Sequence, residues 1–177
     1  DVCVIGAGIT GLSTALLLLQ NGKSVLVLDD GAVGGGDTCR TTAHITAVLD
    51  SRYFEIAQMH GKENAALVAE SHISAINKIE SIIKLFVIDC DFKRVDGYLF
   101  AADSDQHTIK DLKREMDAVQ ELPALSARLV DQLPFAPNTP AIKFSRQAQF
   151  HILKYLNALC DGIEEMGGRI FSHEHVV

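Results

Sequence analysis

The sequence predicts an α/β fold, a doubly wound parallel sheet interrupted by an inserted helical and β segment. Three observations lead to this prediction. Residues 1–30 read as strand, helix and strand; the last part of the chain reads as helix and strand; the long stretch between them is mostly helical in pattern. Strands that alternate with helices are typical of parallel sheets joined by right-handed crossovers.

The first unit is the most strongly patterned. Val2–Ile5 are apolar and run directly into glycines, as expected of a buried parallel strand. Residues 9–21 predict an apolar helix that ends at Gly22, and residues 24–28 predict a second buried strand. Together they form a βαβ unit.

A loop rich in glycine and threonine follows at residues 31–46, and all four prolines fall in a connecting region at 123–140. Apolar periodicity and turn residues predict the remaining elements. They are a helical region at 51–85 broken near Gly61, a hairpin or bent strand at 92–102 around Gly97, an amphipathic helix at 105–122, a strand at 141–144, a helix at 148–166 and a strand at 169–171.

We expect two domains. Residues 1–48 and 145–177 would share the doubly wound sheet, and residues 49–144 would be an excursion that begins a second, substrate-binding domain. The chain opens directly on a strand and stops as another strand begins, so we interpret it as the N-terminal piece of a longer protein.

Composition excludes several classes of function. A net charge of −7 over 177 residues argues against nucleic acid as a partner, which would require a basic face. No apolar run is long enough to span a membrane. The four cysteines are scattered, without a C-x-x-C pair, so we expect no metal site, free thiols and a reducing, cytoplasmic location.

The loop after the first strand carries the most specific motif. Gly6-Ala7-Gly8-Ile9-Thr10-Gly11 matches G-x-G-x-x-G between a strand and a helix. The glycines allow a tight turn, close approach of a pyrophosphate, and close packing of helix on strand. The helix N-terminus then presents N–H groups to the phosphates. This pattern predicts a dinucleotide site.

Acidic residues end the second strand, where the motif expects a carboxylate on the ribose hydroxyls. Asp29 occupies that position, and Asp30 is a nearby substitute. No basic residue stands there to accept a 2′-phosphate, which disfavours NADP. The motif alone does not separate NAD from FAD.

The second loop favours FAD through a resemblance. Residues 34–46, with Arg40-Thr41-Thr42-Ala43-His44 at their centre, resemble the start of the D-amino-acid-oxidase superfamily of FAD-dependent oxidoreductases. Residues 40–47 followed by Leu49-Asp50 are similar to a subgroup that often carries a C-terminal Rieske iron–sulfur domain. The resemblance extends over nearly the whole chain and implies a Rossmann-like FAD-binding sheet.

The resemblance also implies roles for individual residues. Those expected along the pyrophosphate and ribityl path are Gly35, Gly36, Thr38, Arg40 and Thr41. Those expected near the isoalloxazine ring are Thr42, Ala43 and His44, and Val176 falls where the family reads adenine with its backbone. Small residues and hydroxyls in this loop suit an anion independently of the resemblance.

Two residues invite other interpretations. Cys39 suggests a flavin disulfide reductase, but the position of a second redox cysteine holds His44, so no dithiol is available. His44 itself is a candidate acid or base near the flavin, or a histidine that only packs and hydrogen-bonds. Covalent attachment of FAD is not expected, because the linking histidine of related proteins aligns nearer Arg40.

The function implied is oxidation of a small-molecule substrate, an amine or amino acid, by hydride transfer to flavin N5. A Rieske domain downstream would be a possible partner. The catalytic residues are unknown and would lie beyond Val177. The alternatives are an NAD-binding dehydrogenase, a flavin monooxygenase, and a folded fragment without catalytic activity.

Overall fold

The computed structural model describes residues 1–101 and 106–177. Its elements follow one another along the chain as strands, helices and one 3₁₀ turn at Asp37–Arg40. They are β1 (Val2–Ile5), α1 (Ile9–Gln20), β2 (Val25–Leu28), β3 (His44–Ile45), α2 (Tyr53–His60), α3 (Lys62–Leu85), β4 (Lys93–Phe100), α4 (Gln106–Gln120), β5 (Ala127–Val130), β6 (Ala141–Gln149), α5 (Ile152–Glu165) and β7 (Arg169–Phe171).

These elements fall into two units. Unit 1 comprises Asp1–Ala43, Ser81–Phe92 and Phe150–Val177, and unit 2 comprises His44–Glu80 and Lys93–Gln149. Residues 81–92, which the sequence assigned to the insertion, therefore have their contacts in unit 1. That the two units correspond to a cofactor-binding and a substrate-binding domain remains a proposal.

Unit 1 is built on a parallel sheet in the order β1-β2-β7. Val4 pairs with Val27, and Val27 pairs with Ile170, so β2 is the central strand. Helices α1 and α5 pack on each other through side chains with almost no exposed surface, among them Leu12, Leu16, Leu156 and Ile163. The predicted α/β fold with a parallel sheet is confirmed.

Unit 2 contains an antiparallel sheet in the order β3-β6-β4, and β5 also pairs with β6. Helices α2 and α4 contact each other. Helix α3 buries the apolar side chains of Ala69 and Ile76 in this unit. Gly61, at φ +87, separates α2 from α3, which confirms the predicted break.

Several predicted boundaries were wrong. Strand β6 continues to Gln149, and α5 begins after it. The sequence pattern instead predicts a strand that ends at 144 and a helix that begins at 148, because residues 145–146 interrupt the alternation of the strand. Strand β5 lies inside the proline-containing region, and β3 lies inside the glycine- and threonine-rich loop. Strand β4 is a bent strand and not a hairpin, since it pairs with β6 along its length. Two predicted boundaries lie outside the described residues: Ala102, at the end of the strand predicted at 92–102, and Asp105, at the start of the helix predicted at 105–122.

Within residues 1–101 and 106–177, no helix has the length and apolar character needed to cross a membrane. The same residues contain no group of three histidine, cysteine or acidic side chains placed to hold one metal ion.

Candidate functional site

The glycine loop between β1 and α1 is shaped by the backbone conformation of Gly6 and by a close approach at Gly11. Gly6 adopts φ +102, a conformation that side chains disfavour. A Cβ at Gly11 would lie 1.8 Å from the Gly6 carbonyl oxygen, so only glycine lets α1 start this close to β1. The loop therefore folds as the motif requires, with the first turn of α1 against the end of the strand.

The N-terminus of α1 is open to a ligand. Gly8 is the N-cap and has no side chain with which to cap the helix, and the first turn contains no acidic residue. The Ile9 N–H donates to Thr38 Oγ1 at 3.3 Å. A Cβ at Gly8 would lie 3.0 Å from the same oxygen. Thr38 thus stands where an anion at the positive end of the helix dipole would bind.

Asp29 connects the end of β2 to both loops. Its Oδ2 accepts the Ala7 N–H at 2.5 Å, and its Oδ1 accepts the Gly31 N–H at 2.8 Å. An ionised carboxylate has about four acceptor positions, so two remain for the hydroxyls of a ribose.

The second loop returns to the first at Gly34. The Gly34 N–H donates to the Ala7 carbonyl oxygen at 3.0 Å. A Cβ at Gly34 would lie 2.7 Å from Leu156 Cδ1, so the loop is packed directly on α5. The sequence alone had not distinguished this glycine from its neighbours, and only its contact with a helix far along the chain identifies its role.

These loops line an open groove of unit 1, about 480 Å³ in volume. It brings together predicted residues of both loops with Gly31, Ala32, Gly34 and Asp37, for which no individual role was predicted. Its lining residues are Gly8, Asp29, Asp30, Gly31, Ala32, Gly34, Gly35, Gly36, Asp37 and Thr38.

The charges of the groove discriminate between dinucleotides. Its charged lining side chains are the carboxylates of Asp29, Asp30 and Asp37. Backbone N–H groups and the α1 N-terminus supply the positive potential for a pyrophosphate. A 2′-phosphate beside three carboxylates would be repelled, whereas ribose hydroxyls would be accepted. The groove therefore fits the ADP part of a dinucleotide without a 2′-phosphate, such as FAD.

The C-terminal tail forms the edge of this region. The His173 N–H donates to the Gly31 carbonyl oxygen at 3.2 Å, and the Glu174 N–H donates to the Asp29 carbonyl oxygen at 2.9 Å. His175 Nδ1 lies 3.8 Å from an Asp30 carboxylate oxygen. Val176 follows directly and is 42% exposed.

The remaining predicted residues lie outside the lining of the groove. Arg40, Thr41 and Thr42 are exposed. Thr41 Oγ1 accepts the Ala43 N–H at 3.2 Å, and Ala43 adopts φ +57. His44 belongs to unit 2, where it pairs with Gln149 in the short strand β3 and is exposed.

Cys39, at the 3₁₀ turn, has an ordinary environment. Its Sγ lies 3.2 Å from the Gly36 carbonyl oxygen, and all four cysteines are free thiols. The described residues place no second thiol to pair with it.

The chain is similar to several known proteins. A family model described as FAD dependent oxidoreductase (DAO) matches residues 1–177. The chain is 36% identical over 172 residues to "Putative Rieske 2Fe-2S iron-sulfur protein YhfW" of Bacillus subtilis, covering 97% of this chain and 33% of that protein. It is 28% identical over 176 residues to gamma-glutamylputrescine oxidoreductase of Escherichia coli, covering 97% of this chain and 41% of that enzyme.

A solved structure of an L-amino acid deaminase from Proteus myxofaciens, in complex with anthranilate, has a similar fold. It superposes with a TM-score of 0.76 at 18% sequence identity, over 98% of this chain and 38% of that one. The chain therefore spans between a third and about two fifths of the length of these proteins.

Proposed function

Because the chain belongs to the DAO family of FAD-dependent oxidoreductases, we propose that it supplies the ADP-binding part of an enzyme that oxidises a small amine or amino acid. One observation carries the proposal. The glycine loop, Asp29 and Thr38 converge on a groove that offers a helix N-terminus to a pyrophosphate and a carboxylate to the hydroxyls of a ribose.

Each part of the cofactor has candidate residues in the chain. The pyrophosphate would lie at the N-terminus of α1 against residues 6–11, with Gly35, Gly36 and Thr38 on its other side. Asp29 would accept the ribose hydroxyls, with Asp30 as a nearby substitute, and Val176 would stand towards the adenine. Arg40 and Thr41 would follow the ribityl chain, and Thr42, Ala43 and His44 would approach the flavin ring.

The chemistry would come from the flavin, which accepts a hydride at N5 from the carbon next to the substrate nitrogen. The protein would hold the cofactor, orient the substrate and exclude water. The groove would perform the first of these tasks, since preorganised donors and acceptors bind a charged ligand without further rearrangement.

The proteins to which the chain is similar support the substrate class. One bears the name of an oxidoreductase for gamma-glutamylputrescine, and another that of an L-amino acid deaminase. Both names refer to substrates that carry amino nitrogen. An amine or amino acid is therefore the class to test first.

We extend the proposal to the electron acceptor and to the cellular location of the protein. The relative named as a putative Rieske protein is the more similar of the two curated relatives described above. We propose that a Rieske iron–sulfur domain is a partner of the flavin in the complete protein. The free thiols support a reducing, cytoplasmic location.

The test is a spectrum of the purified complete protein, followed by anaerobic mixing with amines and amino acids. We expect flavin absorbance that is bleached by a substrate of this class. A colourless protein that gains no thermal stability with added FAD would contradict the proposal. Oxidation of NAD(P)H coupled to oxygen, without bleaching by an amine, would identify a monooxygenase instead.

A further inference from the structure

Ala47, in unit 2, is held by side chains at both of its backbone polar groups. The residue is fully buried. Its N–H donates to Gln147 Oε1 at 2.7 Å, and its carbonyl oxygen accepts the Tyr53 hydroxyl at 2.8 Å. Thr46 Oγ1 also hydrogen-bonds Gln147 Oε1, at 3.0 Å. The chain just after β3 is thus fixed by side chains where the main-chain ladder has ended.

Gln147 is suited to this task because its own amide is satisfied. The side chain is buried, with 3% of the residue exposed, and its Nε2 donates to the Ser145 carbonyl oxygen at 3.0 Å. The opposite strand leaves room for it, since a Cβ at Gly97 would lie 3.2 Å from Gln147 Cγ. A buried amide whose oxygen and nitrogen both have partners favours one geometry of those partners.

A β-bulge in β6 is what turns Gln147 inward. Val95 pairs with Gln147 and Gly97 pairs with Phe144. A step of two residues along β4 therefore lies opposite a step of three residues along β6. Phe144 and Gln147 therefore share one face of the sheet, where regular alternation would have placed Arg146. Arg146 adopts φ +63 and is exposed.

Arg94 holds the bulge in this conformation. Its Nη1 donates to the Arg146 carbonyl oxygen at 2.7 Å. Its Nε donates to Glu80 Oε2 at 2.9 Å, and its Nη2 donates to Asn77 Oδ1 at 2.7 Å. Asn77, Glu80 and Arg94 thus support the bulge at Arg146, and through it the orientation of one amide side chain.

We propose that Gln147 is a positioning residue that fixes the path of residues 44–47 and so sets the flavin environment, with Tyr53 holding the other side of Ala47. The inference rests on the proposed function, which brings His44 near the flavin ring. Residues 44–45 pair with β6 next to Gln147, so the ladder and the amide together define how this segment leaves the sheet. Without the amide, a buried N–H loses its partner and the segment shifts to find another.

The test compares variants of the complete protein with FAD bound. Gln147→Leu removes the hydrogen bonds at similar volume, and Gln147→Glu keeps the oxygen that accepts from Thr46 and Ala47. Phe144→Leu is the matched control, since Phe144 is buried on the same face of β6 but its side chain cannot hydrogen-bond residues 44–47. The readouts are the flavin absorbance maxima, the midpoint potential, the Kd for FAD and the melting temperature.

We expect both leucine variants to lower the melting temperature, and only Gln147→Leu to shift the flavin maxima and potential and raise the Kd for FAD about tenfold. Gln147→Glu should restore the wild-type maxima in part. If Gln147→Leu does not fold, Tyr53→Phe, which removes one hydroxyl, should shift the maxima in the same way.

Wild-type maxima, potential and Kd in every Gln147 and Tyr53 variant that folds would overturn the inference and leave the proposed function standing. The same flavin shifts in Phe144→Leu would overturn it too, because any loosening of the sheet would then suffice. Wild-type protein that retains no FAD would instead remove the proposed function, and the inference with it.

Discussion

Asp29 and Ala7 are joined by a 2.5 Å hydrogen bond between residues 22 positions apart in the sequence. The carboxylate that we propose for the ribose therefore also holds the glycine loop that we propose for the pyrophosphate. Binding of the two parts of the cofactor is coupled through one side chain, which makes Asp29 the most informative position to change.

Asp29→Ala in the complete protein is expected to weaken FAD binding by about 1–3 kcal/mol, the cost of losing a part-buried hydrogen-bond partner. Titration of the apoprotein with FAD measures it. Asp30→Ala is the comparison, since the Asp30 side chain is 73% exposed and its contact with His175 is long. Equal weakening by the two substitutions would contradict the assignment of the ribose to Asp29.

Gly11→Ala should destabilise the fold itself. The new Cβ would lie 1.8 Å from the Gly6 carbonyl oxygen, so α1 must move away from β1. We expect a loss of about 1–3 kcal/mol or more in the free energy of unfolding, measured by chemical denaturation. Gly36→Ala is the matched control for folding, because a Cβ there meets no atom within 4 Å. Equal stability of the two variants would show that the close approach is not required.

Two tyrosines should make the protein sensitive to alkali. Burial raises the pKa of Tyr53 and of Tyr155 to about 12, from the ordinary tyrosine value of 10.0. The unfolded chain loses these protons at lower pH than the folded one, so their contribution to stability is complete below pH 10 and falls between pH 10 and about 12, by at most about 1.4 kcal/mol per pH unit for each group.

Denaturation at a series of pH values measures this dependence, with tyrosinate absorbance as a second signal. Tyr53→Phe and Tyr155→Phe should each reduce the slope above pH 10. A slope unchanged in both variants would show that neither hydroxyl controls the alkaline transition.

Thiol reactivity should separate the cysteines of the native protein. Cys3 and Cys39 are exposed, whereas Cys90 is buried and burial raises the pKa of Cys160 to about 11. Since the thiolate is the reactive form, a thiol reagent at neutral pH should label Cys3 and Cys39 first and the other two only on unfolding. Peptide mapping of the labelled protein by mass spectrometry tests this order. Rapid labelling of Cys90 would contradict it.

The elements of unit 1 were predictable from the sequence because their signals are local. The apolar run of β1, the glycines at the start of α1 and Gly22 at its end each act within a few residues. The helix break at Gly61 was predictable for the same reason. Asp29 was assigned by its spacing from the glycines, and the structure brings its carboxylate to that loop.

Features that depend on distant partners were not predictable in this way. Strand β3 has two residues and exists because β6 pairs with it. The true end of β6 is hidden by the bulge at residues 145–146, which breaks the alternation that marks a strand. Gln147 had no signal at all, since its role comes from a contact with Ala47, 100 positions away in the sequence.

The packing of Gly34 on Leu156 also constrains the order of events during synthesis. The wall of the cofactor groove rests on α5, a helix more than a hundred positions further along the chain. The strand that carries Asp29 is likewise completed by β7, which is made later still. A nascent chain that has emerged only as far as α4 therefore has the binding motif but no groove. Cofactor capture becomes a late, long-range folding event, and FAD would stabilise the finished unit rather than nucleate it.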